Sequence, residues 1–183
     1  MTTTSAPVGT ANALRRIITE PAYLEVVAFL VDEAELLNDD QQLDWLQLLT
    51  EDFTYQMPSR STVFSRDGAG FDDRTSHYND DRMTLELRVQ RNVAIQFAYD
   101  RDPPPRTRRI VGNVVVFERE PDVYDVTSGI LLVWNRFDTS TSDVLSARRE
   151  DVIRRTDAGL RLASRRVLID QSRLDTKYTN IFL

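Results

Sequence analysis

Few residues in this chain could carry chemistry, and the rarest is a single histidine, His77, with no cysteine anywhere in 183 residues. A charge-relay nucleophile would have to pass through that imidazole, which lies in the polar run Ser76-His77-Tyr78-Asn79-Asp80. Disulfides, thiolate metal sites and cysteine nucleophiles are excluded outright. A mixed histidine–cysteine iron–sulfur cluster needs two residues of each kind, and a mononuclear iron site needs two histidines and a carboxylate. Neither can be built from this chain alone. Paired acids occur at Asp39–Asp40, Asp72–Asp73 and Asp80–Asp81. Acid–base work asks for a carboxylate in a dry pocket, whereas acids ahead of helices are explained by capping and the helix dipole. Glycine-rich phosphate loops and a Gly-x-Ser-x-Gly elbow are missing, so neither a nucleotide cofactor nor a serine hydrolase is indicated.

The densest charge lies at Arg148-Arg149-Glu150-Asp151. Read as a strand, it sends Arg148, Glu150 and Arg154 to one face and Arg149, Asp151 and Arg155 to the other. Charge on both faces suits either a polar partner or salt bridges to acidic helices within the chain.

The elements that must position these groups follow from periodicity. Thr19 offers an N-cap and Pro21 fits a first helical turn. Tyr23, Val27, Leu30, Ala34 and Leu37 then form one stripe of an amphipathic helix ending near Asn38. Asp39 or Asp40 caps a short second helix with Leu43, Leu46 and Leu49 on one side and Trp45 beside them. Phe53 to Met57 is predicted as a strand stopped by Pro58, and residues 65–80 as a loop. Asp80 or Asp81 caps a third helix, with Met83, Leu87 and Arg91 along its inner side. The run 100–107, with three prolines, is a rigid connector. From Arg108 the period becomes two: Ile110 to Phe117, Val123 to Phe137, Ser142 to Arg155 and Leu160 to Asp170 form a meander of four antiparallel strands. Helices first and strands after give an α+β fold, with the curved sheet wrapped as a cone around the first long helix. Residues 1–16 read as a flexible tail and 17–183 as one domain.

A 41% hydrophobic content supports a real core, and the longest apolar stretch, Val26 to Val31, is far too short to span a bilayer. The first residues lack the apolar segment of a secretory signal, so a cytoplasmic address is expected. A net charge of -6 argues against nucleic acid as principal partner. Residues 1–100 hold 17 acids against 8 bases, and residues 101–183 hold 12 against 15. Of the 23 bases only Lys177 is a lysine. Arginine suits bidentate buried or interfacial ion pairs, although a GC-rich genome gives the same bias.

Several stretches, in order, resemble the small (beta) subunits of bacterial aromatic-ring-hydroxylating dioxygenases. They are Asn79-Asp80-Asp81-Arg82 with Leu85, Leu87 and Arg88; Asp102-Pro103-Pro104-Pro105-Arg106-Thr107-Arg108; Val111-Gly112-Asn113-Val114; Ser146-Ala147-Arg148-Arg149-Glu150-Asp151; Leu162-Ala163-Ser164-Arg165-Arg166-Val167; and Asn180-Ile181-Phe182-Leu183. The set runs from about Tyr23 onward and departs from the family in its third proline. The resemblance implies the cone-shaped fold of nuclear-transport-factor-like (cystatin-like) proteins and a structural role without cofactor in this chain. It also implies a trimer of small subunits supporting three large ones, each with a Rieske cluster and a mononuclear iron fed by a reductase and sometimes a ferredoxin. The expected subunit contacts are Asp102, Pro103, Pro104, Arg106, Arg108, Arg109, Arg148, Arg149 and Asp151. The rival reading is a free-standing isomerase, dehydratase or cyclase of the same fold, with Asp52, Tyr55 and His77 at the mouth of the cone by analogy of fold alone.

Overall fold

The computed structural model describes residues 15–16, 20–94, 104–172 and 182–183. Helix α1 (Pro21–Asn38) begins with proline in its first turn, where no amide partner is needed. Its buried positions are Val26, Leu30, Glu33, Ala34 and Leu37, so the core stripe is rotated from the expected one and Tyr23 and Val27 are only half-buried. The short helix α2 (Gln42–Leu46) places Trp45 and Leu46 inward, while Leu43 faces out.

The sheet has seven strands in the order β1-β4-β5-β6-β7-β2-β3. Strands β4 (Arg106–Glu120), β5 (Val123–Asn135), β6 (Asp143–Thr156) and β7 (Gly159–Ile169) are the expected antiparallel meander. Alternation is cleanest in β5, where Tyr124, Val126, Ser128, Ile130, Leu132 and Trp134 all face the core. Strand β2 (Leu49–Arg60) then joins β7 in parallel, with Tyr55 opposite Arg165. Pro58 does not stop it. The register shifts on either side of Pro58, and a bulge accommodates the missing donor.

Four further expectations are corrected. Residues 71–81 are not loop but strand β3 (Phe71–Asp81), antiparallel to β2. Helix α3 (Arg82–Ala94) is capped as expected, Asp81 Oδ1 accepting the Thr84 amide at 2.7 Å, but buries Leu85, Val89 and Asn92 while Met83 and Leu87 face solvent. Arg106 and Thr107, assigned to the connector, already pair with Asn135 and Trp134. Arg15–Arg16, placed in the tail, form β1 against Glu118 and Phe117 of β4. The tail up to residue 14 and the predicted cap Thr19 lie outside the described residues.

The Gly112-Asn113 step marks a bulge: the β4–β5 register shifts between Gly112 and Val115, and Asn113 takes a left-handed φ of 51°. Asparagine tolerates that region because its short amide bonds locally. Val26, Leu30, Trp45, Phe53, Tyr55, Leu85, Leu132, Ile153 and Leu162, all fully or nearly fully buried, fill the space between the sheet's inner face and the helices.

Candidate functional site

The inward parity of β6 and β7 brings Arg149, Asp151 and Arg165 into the cone, and the stripe of α1 points Glu33 at them. Arg165 is the hub. Its Nη1 and Nη2 donate to Glu33 at 2.6 and 2.8 Å, and its Nε and Nη2 donate to Asp151, both at 2.9 Å. Glu33 also accepts the Trp45 indole N–H at 3.0 Å and Arg149 Nη1 at 3.4 Å. Arg149 Nε donates to Ser128 Oγ at 3.1 Å, while its Nη2 has no hydrogen-bond partner among the described residues. Two carboxylates thus face two guanidinium groups in near-complete burial, which limits the desolvation cost of any one charge.

The last two residues close the same space. Arg109 Nε and Nη2 donate to the Phe182 carbonyl at 3.1 and 2.9 Å, and Arg165 Nη1 to the Leu183 carbonyl at 3.1 Å. The Leu183 amide donates to the Tyr55 hydroxyl at 3.3 Å. The Phe182 ring stacks on Trp45 with centroids 4.7 Å apart, meets Tyr55 edge-on and lies under the Arg88 guanidinium at 4.9 Å. Arg88 in turn covers Tyr78 and pairs with Asp80. Among the described residues, the interior of the cone holds an ion cluster and an aromatic plug.

The electrostatics fit a structural cluster better than a reactive one. Burial disfavours the Glu33 carboxylate, but Arg165 and Arg149, with hydrogen bonds from Arg165 and Trp45, outweigh it and hold its pKa below the usual range. For Arg165 burial is likewise overcome, here by Asp151 and Glu33, and the pKa rises. Burial, joined by repulsion from Arg165, lowers that of Arg149. It brings Arg109 down to about 10 and pushes the Tyr55 phenol up to about 12. The oxygens of Glu33 are taken by donors from Arg165, Arg149 and Trp45.

The rival site does not assemble. Asp52 and Tyr55 lie on opposite faces of β2, as their odd spacing requires. Asp52 is exposed and held by Arg154 Nη1 at 2.8 and 3.0 Å, hydrogen bonds that lower its pKa. Tyr55 is buried against Leu183, and His77 is exposed on β3, one residue out of phase with inward Tyr78. Among the described residues no three His, Asp or Glu side chains form a metal-binding group, and no helix is long and apolar enough to cross a membrane.

Of the expected contact residues, Asp102 and Pro103 lie outside the described residues. Pro104, Arg106, Arg108 and Arg148 are exposed. Arg109, Arg149 and Asp151 are instead buried within the chain, their donors and acceptors turned toward Phe182, Ser128, Glu33 and Arg165. Sequence reasoning missed Glu33 and Arg165. The available signal was an acid three residues after Leu30, on the apolar side of α1.

A curved, open sheet wrapped around a long helix, with salt bridges among the described interior residues, defines a nuclear-transport-factor-like cone. Solved structures share it. A naphthalene 1,2-dioxygenase chain superposes with a TM-score of 0.78 at 23% identity over 92% of this chain and 90% of that one. A putative scytalone dehydratase from Novosphingobium aromaticivorans gives 0.59 at 12% identity over 82% and 85%. The family described as ring hydroxylating beta subunit matches residues 32–176. The biphenyl 2,3-dioxygenase beta subunit of Rhodococcus jostii is 33% identical over 164 residues, 86% of this chain and 87% of its own. The benzene 1,2-dioxygenase beta subunit of Pseudomonas putida is 33% identical over 154 residues, 81% of each. The chain therefore belongs to the beta-subunit family of the aromatic-ring-hydroxylating dioxygenases.

Proposed function

We propose that this chain is the non-catalytic structural beta subunit of an aromatic-ring-hydroxylating dioxygenase, holding an iron-bearing alpha subunit in an assembly of three alpha and three beta subunits. The observation that carries the proposal is the buried cluster among the described residues, in which Glu33, Arg149, Asp151 and Arg165 bind one another and Phe182 stacks on Trp45. With no thiol and a single exposed imidazole, the chain leaves the Rieske cluster and mononuclear iron to the alpha subunit. Electrons would reach that partner from NAD(P)H through a reductase and, in some systems, a ferredoxin, in the cytoplasm. The alpha subunit would dihydroxylate the ring of an aromatic compound on its way to catabolism.

The exposed members of the expected contact set, Pro104, Arg106, Arg108 and Arg148, are the ones that face outward for subunit contacts. Arg109, Arg149 and Asp151 support that surface from inside.

The test is co-production with the alpha subunit from a neighbouring reading frame carrying Cys-x-His and Cys-x-x-His. The complex is expected to be red-brown and to dihydroxylate an arene when supplied with reductase. The isolated chain is expected to be colourless and inert. Stoichiometric iron and arene oxidation by the isolated chain would overturn the proposal.

A further inference from the structure

Arg109 on β4 carries a buried charge that no carboxylate among the described residues pairs with. It is 7% exposed, and burial depresses its pKa only to about 10. The guanidinium stays a cation at neutral pH. Its side-chain donors meet neutral acceptors: the Asn38 amide oxygen at 3.3 Å, the Thr107 hydroxyl at 3.4 Å and the Phe182 carbonyl. Glu33 favours the charge through space, but both its oxygens are taken by Arg165, Arg149 and Trp45. A buried guanidinium without a counter-ion in contact lacks most of what offsets its desolvation.

The grip of Arg109 on Phe182 shows what it lacks. Nε and Nη2, the parallel donors on one edge of the guanidinium, converge on the single Phe182 carbonyl oxygen at 3.1 and 2.9 Å. That edge is matched to a carboxylate, which offers one oxygen to each donor together with a negative charge. One neutral oxygen shared by both donors is the weaker fit. The ring of the same residue has a slot of its own. Trp45 stacks on it at 4.7 Å, Tyr55 meets it edge-on at 6.5 Å and the Arg88 guanidinium covers it at 4.9 Å. Contacts of these kinds recognise a benzene ring whatever chain carries it. Arg88 and Arg149 each keep a buried Nη2 without a hydrogen-bond partner among the described residues, so donors remain to be filled.

Phe182 thus presents a phenyl ring and a carbonyl oxygen joined through its Cβ and Cα. That is the skeleton of a 3-phenylpropanoate with an amide in place of the acid group. We propose that Trp45, Tyr55, Arg88 and Arg109 form a binding site for an arylalkanoate, which Phe182 occupies in this structure and which the free acid enters by displacing it. The acid keeps every ring contact and adds the ion pair to Arg109 that a peptide carbonyl cannot make. Apolar walls with a few placed polar groups are the usual make-up of a small-molecule site. Phe182 is then a competitor built into the chain, and it lowers the apparent affinity by the fraction of time it holds the slot. The inference goes beyond the structural-subunit reading and does not rest on it.

The test is isothermal titration calorimetry of the full chain with 3-phenylpropionate, and with 3-phenylpropanamide as its uncharged counterpart. The wild-type chain is expected to bind the acid saturably and about tenfold or more tighter than the amide. Phe182→Ala, which removes the competing ring, should bind the acid about tenfold or more tighter than the wild type. Arg109→Lys keeps the charge and loses the fork, and should bind the acid about tenfold or more weaker. Circular dichroism melts identify a variant that does not fold. Phe182→Leu then replaces Phe182→Ala, and the acid-against-amide comparison on the wild type tests the role of Arg109 without a substitution. The proposal is overturned if the wild type does not bind the acid, if acid and amide bind alike, or if loss of the Phe182 ring leaves the affinity unchanged. Equal uptake of acid and amide by Phe182→Ala also overturns it, since that is only a hole left by a missing ring. Capture of an alpha subunit is scored separately, so a chain that captures one but binds no acid sinks this inference and leaves the subunit assignment standing.

Discussion

Strand β6 presents the same two charged groups, a guanidinium and a carboxylate, to two different media. Outward, Arg148 and Glu150 form a pair with side chains 59% and 37% exposed. Inward, one residue out of phase, Arg149 and Asp151 are 1% and 3% exposed and belong to a four-residue cluster with Glu33 and Arg165. Chemistry is held constant and only the face of the sheet changes. Outward, water screens each charge and the pair stabilises little. Inward, each charge depends on its neighbours for solvation, so loss of one strands the rest.

That contrast can be broken most severely at Asp151. Asp151→Ala leaves two arginines beside one carboxylate, and equilibrium denaturation should show a loss of about 3–5 kcal/mol. A loss below 1 kcal/mol would mean that water enters the cone.

Next in size is the pH dependence of Glu33. Its folded pKa lies below the ordinary value of 4.5, so the unfolded chain binds its proton first as pH falls. The stabilisation is complete above pH 4.5 and is lost as pH drops through the folded pKa. Glu33→Gln should therefore be far less stable than the wild type at pH 7, and the gap should narrow steadily in acid unfolding curves below pH 4.5. A gap independent of pH would assign the effect to packing.

Ser128→Ala removes the acceptor of Arg149 Nε, and Arg149 Nη2 already lacks a partner among the described residues. A loss of about 1–3 kcal/mol is expected by the same denaturation measurement. Arg148→Ala should come last, within about 0.5 kcal/mol of the wild type. A change there as large as at Ser128 would erase the distinction between the two faces.

The meander was legible in the sequence because hydrophobic alternation and a glycine turn at Gly159 both point to it. Other elements were hidden for identifiable reasons. Strand β3 reads as loop because its inward residues are themselves polar or aromatic. Tyr78 and Asp80 are satisfied by Arg88 from α3, a partner that periodicity cannot supply. The inner face of α3 was misassigned because Met83 and Leu87 look like core residues yet point outward. The ion cluster stayed out of sight because charged residues are ordinarily solvated, and strand parity alone does not say which face of β6 is covered. Only the meeting of α1 with β6 and β7 reveals that Glu33 has waiting partners.

The parallel seam between β2 and β7 joins Thr54 to Ser164 and Tyr55 to Arg165 across more than a hundred residues of chain. During synthesis α1 and β2 emerge long before the strand that must lie beside β2, and before the arginines that neutralise Glu33. The first half is thus committed to wait, with a bare strand edge and an unmatched carboxylate, until the last hairpin arrives. Closure of so distant a contact sets a slow final step in folding and makes nascent chains dependent on prompt completion.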